Sequence, residues 1–172
     1  MDSFSIILVV VLLILVILSA FFSGSETSIM ALNQIKLDNA EKQGNKSAKI
    51  INSLRKEINR VLGVILIGNN LVNISASALL TFFVIKKFGD EYVWIGTLLL
   101  TIFIIIFAEI APKSFAAKRP ESIAYPASRI LKVLTKYLGS FSEMLTNISN
   151  SLTGIKNNEN YFSENLNRDE LK

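Results

Sequence analysis

Three stretches of the chain run long without a charged residue. Phe4 to Phe22 covers 19 residues, Val61 to Ile85 covers 25 and Tyr92 to Ala108 covers 17. Uncharged apolar runs of about 18 residues or more predict helices that cross a bilayer. The first pattern resumes at Ile29-Met30-Ala31-Leu32, so the expected spans are about 4–32, 61–85 and 92–111. A fourth apolar pattern is of another kind. Ile130, Leu131, Leu134, Leu138, Phe141, Leu145, Ile148 and Leu152 recur at helical spacing as one stripe, while Arg129, Lys132, Lys136, Ser140 and Glu143 fall largely opposite. This predicts an amphipathic helix over about 123–152 lying in the membrane interface, with a short fourth span as the alternative. Residues 33–60 read as polar and helical, with a break near Gly44-Asn45. Residues 153–172 are rich in Asn and Glu and read as a linker toward something further. The expected fold is an all-α integral membrane domain over 1–152: three transmembrane helices, a cytoplasmic helical segment and an amphipathic juxtamembrane helix.

Charge decides the orientation. The segment between the first two runs holds Lys36, Lys42, Lys46, Lys49, Arg55, Lys56 and Arg60, and the third run is followed by Lys113, Lys118, Arg119, Arg129, Lys132 and Lys136. Between the second and third runs, Lys86 and Lys87 are balanced by Asp90 and Glu91. The positive-inside rule puts both basic segments and the C-terminus in the cytoplasm and the N-terminus outside, in a multi-pass protein of the cell membrane. The first run lacks the basic n-region of a secretory signal peptide, so it is read as a retained span. The net charge of +4 follows this topology and is not read as a nucleic-acid surface.

Composition narrows the chemistry. Apolar residues make up 51% of the chain and charged ones 19%, which excludes an ordinary soluble enzyme and a disordered chain. With no Cys and no His, thiolate and imidazole metal sites are excluded, as are Ser–His–Asp and Cys–His catalysis. One lone Glu in a span is not an acid–base pair, so no enzyme is expected. Any bound metal has to accept oxygen ligands.

Polar residues inside the runs are therefore the candidates, because they are costly in lipid unless partnered. Ser19 and Ser23 share a face of the first helix, and Gly24 is placed to loosen that helix and free carbonyls; small-residue helix packing is the alternative. Asn70, Asn73 and Ser77 form a stripe in the second run, with Asn69 expected to point elsewhere. Glu109 ends the third run, with Lys113 one turn on as its expected partner and Pro112 as the expected helix breaker. Hydroxyls, amides and one carboxylate from three helices suit a hard cation: Mg²⁺, Ca²⁺ or Na⁺.

Three motifs carry a resemblance. Phe21-Phe-Ser-Gly-Ser-Glu-Thr-Ser28, Leu66-Ile-Gly-Asn-Asn-Leu-Val-Asn73 and Ala108-Glu-Ile-Ala-Pro-Lys113 stand in the order seen in the CorC/cyclin-M (CNNM) magnesium transporters, which this sequence resembles over about 1–150. The resemblance implies a homodimer with three spans per chain and a juxtamembrane helix that wraps the bundle. It implies Mg²⁺ export coupled to Na⁺, with Ser23, Asn73 and Glu109 as ligands and Ser19, Asn70 and the Gly24 carbonyl as further ones. Ala108 stands where relatives often carry Gly. The tail from Phe162 resembles the lead-in to a cytoplasmic CBS-pair module. A membrane-bound Mg²⁺ sensor that controls a separate transporter is the alternative function.

Overall fold

The computed structural model describes residues 3–153. The described chain is helical throughout apart from short turns. Helix α1 spans Ser3–Ala31, α2 Gln34–Lys42, α3 Lys46–Lys56 and α4 Ile58–Phe88. A short 3-10 turn at Asp90–Tyr92 leads into α5, Val93–Phe103; a π-helical segment, Ile104–Ile110, continues it into α6, Ala111–Lys118. Helix α7 covers Pro120–Thr153. Three helical rods are long and apolar enough to cross a membrane: Ser3–Ala31, Ile58–Phe88 and Asp90–Lys118. At 1.5 Å per residue each is about 45 Å long, so each reaches beyond a ~30 Å hydrocarbon core. The expected linker, 153–172, lies outside the described residues but for Thr153.

The connections follow local chemistry. Asn33 caps α2, its Oδ1 accepting from the Lys36 amide at 3.1 Å. Asn45 caps α3 by accepting from the amides of Ser47 and Ala48. Between α2 and α3, Gly44 has a φ of +88°, a conformation open to glycine at little cost. Gly89, at φ +103°, turns the chain from α4 into the third rod. The end of α1 is closed by a side chain from α3. Arg55 Nη2 donates to the Ile29 and Leu32 carbonyls at 2.6 and 2.7 Å, and its Nη1 donates to Gln34 Oε1 at 2.6 Å. A cation on the last carbonyls of a helix also meets the negative end of its dipole. Burial lowers the pKa of this guanidinium from its ordinary value, and Asp38 opposes that shift.

The core runs along α1 and α4 and is closed by α7. Phe22, Ile29, Leu54, Val61, Ile65, Val72, Ala127 and Leu131 form one buried cluster. A second, Leu32, Leu37, Ala48, Ile51 and Ala124, ties the α2–α3 hairpin to the start of α7. An open polar cleft of about 560 Å³ lies on that hairpin, lined by Asp38, Glu41, Asn52 and Arg55 among others. Outward, the rods show large apolar side chains such as Ile17, Leu71, Ile74 and Trp94. A surface of that kind is at home in lipid rather than in water.

Candidate functional site

Four serines on α1, Ser19, Ser23, Ser25 and Ser28, are buried almost completely. A hydroxyl buried in a membrane helix needs a partner, because no water stands in for one. Ser28 Oγ donates back to the Ser25 carbonyl at 3.0 Å. Ser19 Oγ donates across the bundle to Asn69 Oδ1 of α4 at 2.9 Å. Ser23 Oγ and Asn73 Oδ1 are among the buried polar atoms that have no hydrogen-bond partner among the described residues. Such a group costs on the order of 1–3 kcal/mol when left unmet, which makes these two oxygens candidate ligands.

The contacts around these residues fix their relative levels. Phe4 stacks edge-on with Phe82, Ser19 meets Asn69, and a side chain on Gly68 would strike the Phe22 ring. Residue numbers fall on α4 as they rise on α1, so the two helices are antiparallel and Asn69 lies level with Ser19. Asn73 lies one turn beyond Asn69, about 6 Å nearer the start of α1. The third rod runs parallel to α1. A Cβ on Gly24 would sit 3.6 Å from Pro112 Cβ, and Glu26 Oε2 pairs with Lys113 Nζ at 3.5 Å. That register sets Glu109 between the levels of Ser19 and Ser23. Ser19, Asn69 and Glu109 thus share one layer of the bundle, with Ser23 a turn to one side of the Ser19–Asn69 bond and Asn73 a turn to the other.

Several expectations change here. Asn69 does not point elsewhere; it faces α1, and Asn70 is exposed in the chain. The reason is the buried stripe Val61, Ile65, Gly68, Val72 and Ala76, which turns toward the core and carries Asn69 on its flank while Asn70 swings a further 100° away. The close approach of Gly68 to the Phe22 ring, a tertiary contact, is what identifies the inward face. Lys113 pairs with Glu26 of α1 rather than with Glu109. Glu109 is half-buried and has no ion-pair partner among the described residues. Gly24 does not loosen α1, which is helical from Ser3 to Ala31; its missing side chain instead admits Pro112 and Ile123.

Nor does Pro112 end the third rod. The helix widens into i→i+5 hydrogen bonding over Ile104–Ile110, seen in the Ala111 amide donating to the Ile106 carbonyl, and α6 then continues to Lys118. A wider turn absorbs the proline ring and the amide it lacks, and it re-aims the side chains within it. Glu109 lies inside this segment. Single-turn widenings of this type recur at functional sites.

Chemically, the layer offers neutral oxygens and one carboxylate. Among the described residues no group of three or more acidic, His or Cys side chains could hold a metal. A cation here would be held by Glu109 together with hydroxyl and amide oxygens. Ser19, by giving its proton to Asn69, turns its lone pairs away from that bond, an outer-shell arrangement that fixes a ligand's direction.

The sequence matches the family model described as the Cyclin M transmembrane N-terminal domain, CNNM, over residues 10–172. The chain belongs to the CNNM transmembrane domain family. Among curated CNNM-like relatives, it is 42% identical over 158 residues to the UPF0053 inner membrane protein YfjD of Escherichia coli K12, covering 90% of this chain and 37% of that protein. It is 44% identical over 129 residues to a UPF0053 protein of Haemophilus influenzae, covering 75% of this chain and 31% of that one. A chloroplastic DUF21 domain-containing protein of Arabidopsis thaliana shares 34% over 156 residues, 90% of this chain and 24% of its own length. The chain therefore spans roughly a quarter to two fifths of the length of these relatives. It is a multi-pass membrane protein of the CNNM family.

Proposed function

We propose that this CNNM domain is the membrane part of a divalent-cation transporter whose cargo is Mg²⁺, moved outward in exchange for Na⁺. The observation that carries the reading is the layer of oxygen donors. Ser23 Oγ and Asn73 Oδ1 are buried with no hydrogen-bond partner among the described residues, about two turns apart along the bundle on either side of the Ser19–Asn69 bond, and Glu109 lies in a π-helical turn of the third span. Hard cations take oxygen ligands, and Mg²⁺ gives up its waters only to a rigid, near-octahedral set. Three different helices supply these groups, so a bound ion ties the bundle together and its release loosens it. Ser19 and Asn69 complete the layer, Ser19 as a ligand and Asn69 by orienting it. The Gly24 carbonyl and Asn70 have weaker support, since the first lies in an unbroken helix and the second is exposed. The working unit in this reading is a homodimer, with the chain continuing into a cytoplasmic CBS-pair module.

Flux separates transport from sensing. Liposomes that hold only this chain, loaded with a Mg²⁺ indicator and given opposed Mg²⁺ and Na⁺ gradients, should show Mg²⁺ movement that depends on Na⁺. Mg²⁺ binding without any movement contradicts transport and favours the sensor.

A further inference from the structure

Helix α7 has three faces, not two. Ala127, Ser128, Leu131, Thr135, Gly139 and Ser142 are buried and form the stripe that packs on the bundle. Most of these are small or polar, so the helix spends its small residues on protein contact. Gly139 lies against the Arg60 guanidinium of α4, and Ser142 Oγ donates to the Arg60 carbonyl at 3.4 Å. Apart from Leu131 and the half-buried Leu134, the large apolar side chains point elsewhere. Ile130, Val133, Tyr137, Phe141, Met144 and Ile148 are exposed along a second stripe, Tyr137 at 74%. At 100° per residue this stripe is centred more than a quarter turn from the buried one.

The third stripe is basic. Arg129, Lys132 and Lys136 share a flank of the helix and are all exposed. None of them forms an ion pair among the described residues. The acidic residue on the same flank, Glu143, is engaged by Arg60 Nε at 3.4 Å. Three positive charges thus stand unneutralised beside a row of exposed apolar groups, on a helix that packs against the ends of α1 and α4 nearest the α2–α3 hairpin.

We propose that this side of α7 binds acidic phospholipids, with Arg129, Lys132 and Lys136 on the headgroup phosphates and the Ile130–Tyr137–Phe141 row among the acyl chains. Charge complementarity selects the occupant. A protein partner with an apolar surface would cover the second stripe but leave the third unanswered, whereas an anionic leaflet meets both at the depths the helix presents them. Long Lys and Arg stems reach from an apolar bed to the headgroup level, as this arrangement requires. The bundle-facing stripe holds the first turns of α4 through Arg60, so lipid charge is read next to the helix that carries Asn69.

The test uses the whole chain. Short-chain phosphatidylglycerol and phosphatidylcholine are titrated separately into the detergent-purified protein. Trp94→Phe combined with Tyr137→Trp then leaves one tryptophan, on the apolar row, as a reporter. We expect phosphatidylglycerol to bind at least about tenfold more tightly, and Arg129→Gln/Lys132→Gln/Lys136→Gln to remove that preference. Lys86→Gln/Lys87→Gln, at the opposite end of α4, should leave it intact. In vesicles, the reporter should be quenched by brominated acyl chains. Equal binding of the two lipids by the parent, a preference that survives the triple substitution, or a reporter shielded from lipid by a second copy of the chain each overturns the proposal.

Discussion

Ser19 of α1 donates its hydroxyl proton to Asn69 Oδ1 of α4 at 2.9 Å, the one side-chain hydrogen bond recorded between these two spans among the described residues. It sits about a turn from Ser23 and close to the level of Glu109, and it reverses what the spacing of the asparagines suggests. Asn69→Ala should weaken Mg²⁺ binding, because Ser19 then loses the group that orients it. It should also show coupling with Ser19→Ala. Interhelical hydrogen bonds in membrane proteins are worth about 0.6 kcal/mol on average and up to about 1.7. A double-mutant cycle on unfolding in mixed micelles should return a coupling in that range, and strictly additive losses would show that the bond carries no weight.

Gly68 is the second point of close approach between α1 and α4. A methyl group there strikes the Phe22 ring, which is itself in the core cluster. Gly68→Ala should cost about 1–3 kcal/mol of stability, the usual penalty for overpacking. Phe22→Leu in the same chain should recover part of the loss. An unfolding transition that does not move with Gly68→Ala would mean the helices separate easily at this level.

Arg55 joins the α2–α3 hairpin to the end of α1 by donating to two carbonyls and to Gln34. Charged hydrogen bonds contribute about 1.5–3 kcal/mol, so Arg55→Met should lower stability by roughly that amount. Arg55→Lys should restore little, since one ammonium lacks the fork that reaches these separate acceptors. Hydrogen exchange provides the local readout: the amides of α2 should exchange faster in both variants.

Orientation rests on the basic segments and is checked by labelling. Lys86 and Lys87 should react with an impermeant amine reagent applied to intact cells, and Lys42 and Lys132 should not. The opposite pattern inverts the protein, and with it the direction of the proposed transport.

Much of the fold was legible because lipid imposes a simple requirement. Three uncharged runs are enough to mark three rods, and Gly44-Asn45 marks the break in the hairpin, since one residue takes a positive φ and the other caps the next helix. The inward face of α4 was harder to read. Its residues are apolar nearly all round, so the choice between Asn69 and Asn70 is made by tertiary contacts with Phe22 and Ser19 rather than by periodicity. The partner of Lys113 was obscured in the same way: a residue one turn along its own helix competes with Glu26 on a neighbouring one, and spacing reveals the first alone. Pro112 reads as a terminator in any sequence, and the π-helical turn that carries the rod past it has no sequence signature beyond the proline itself.

Glu109 is the acidic group of the donor layer, so its charge is the most direct lever on the proposed cation site. Calorimetric titration of Mg²⁺ into the purified chain should give a saturable isotherm that weakens on acidification, because a ligating carboxylate must be ionised. Glu109→Gln keeps the side chain's shape and removes its charge. It should lower the affinity at least about tenfold, roughly 1.4 kcal/mol, with a smaller loss for Asn73→Ala, which removes one neutral dipole. A Glu109→Gln chain that binds Mg²⁺ as tightly as the parent would contradict the site.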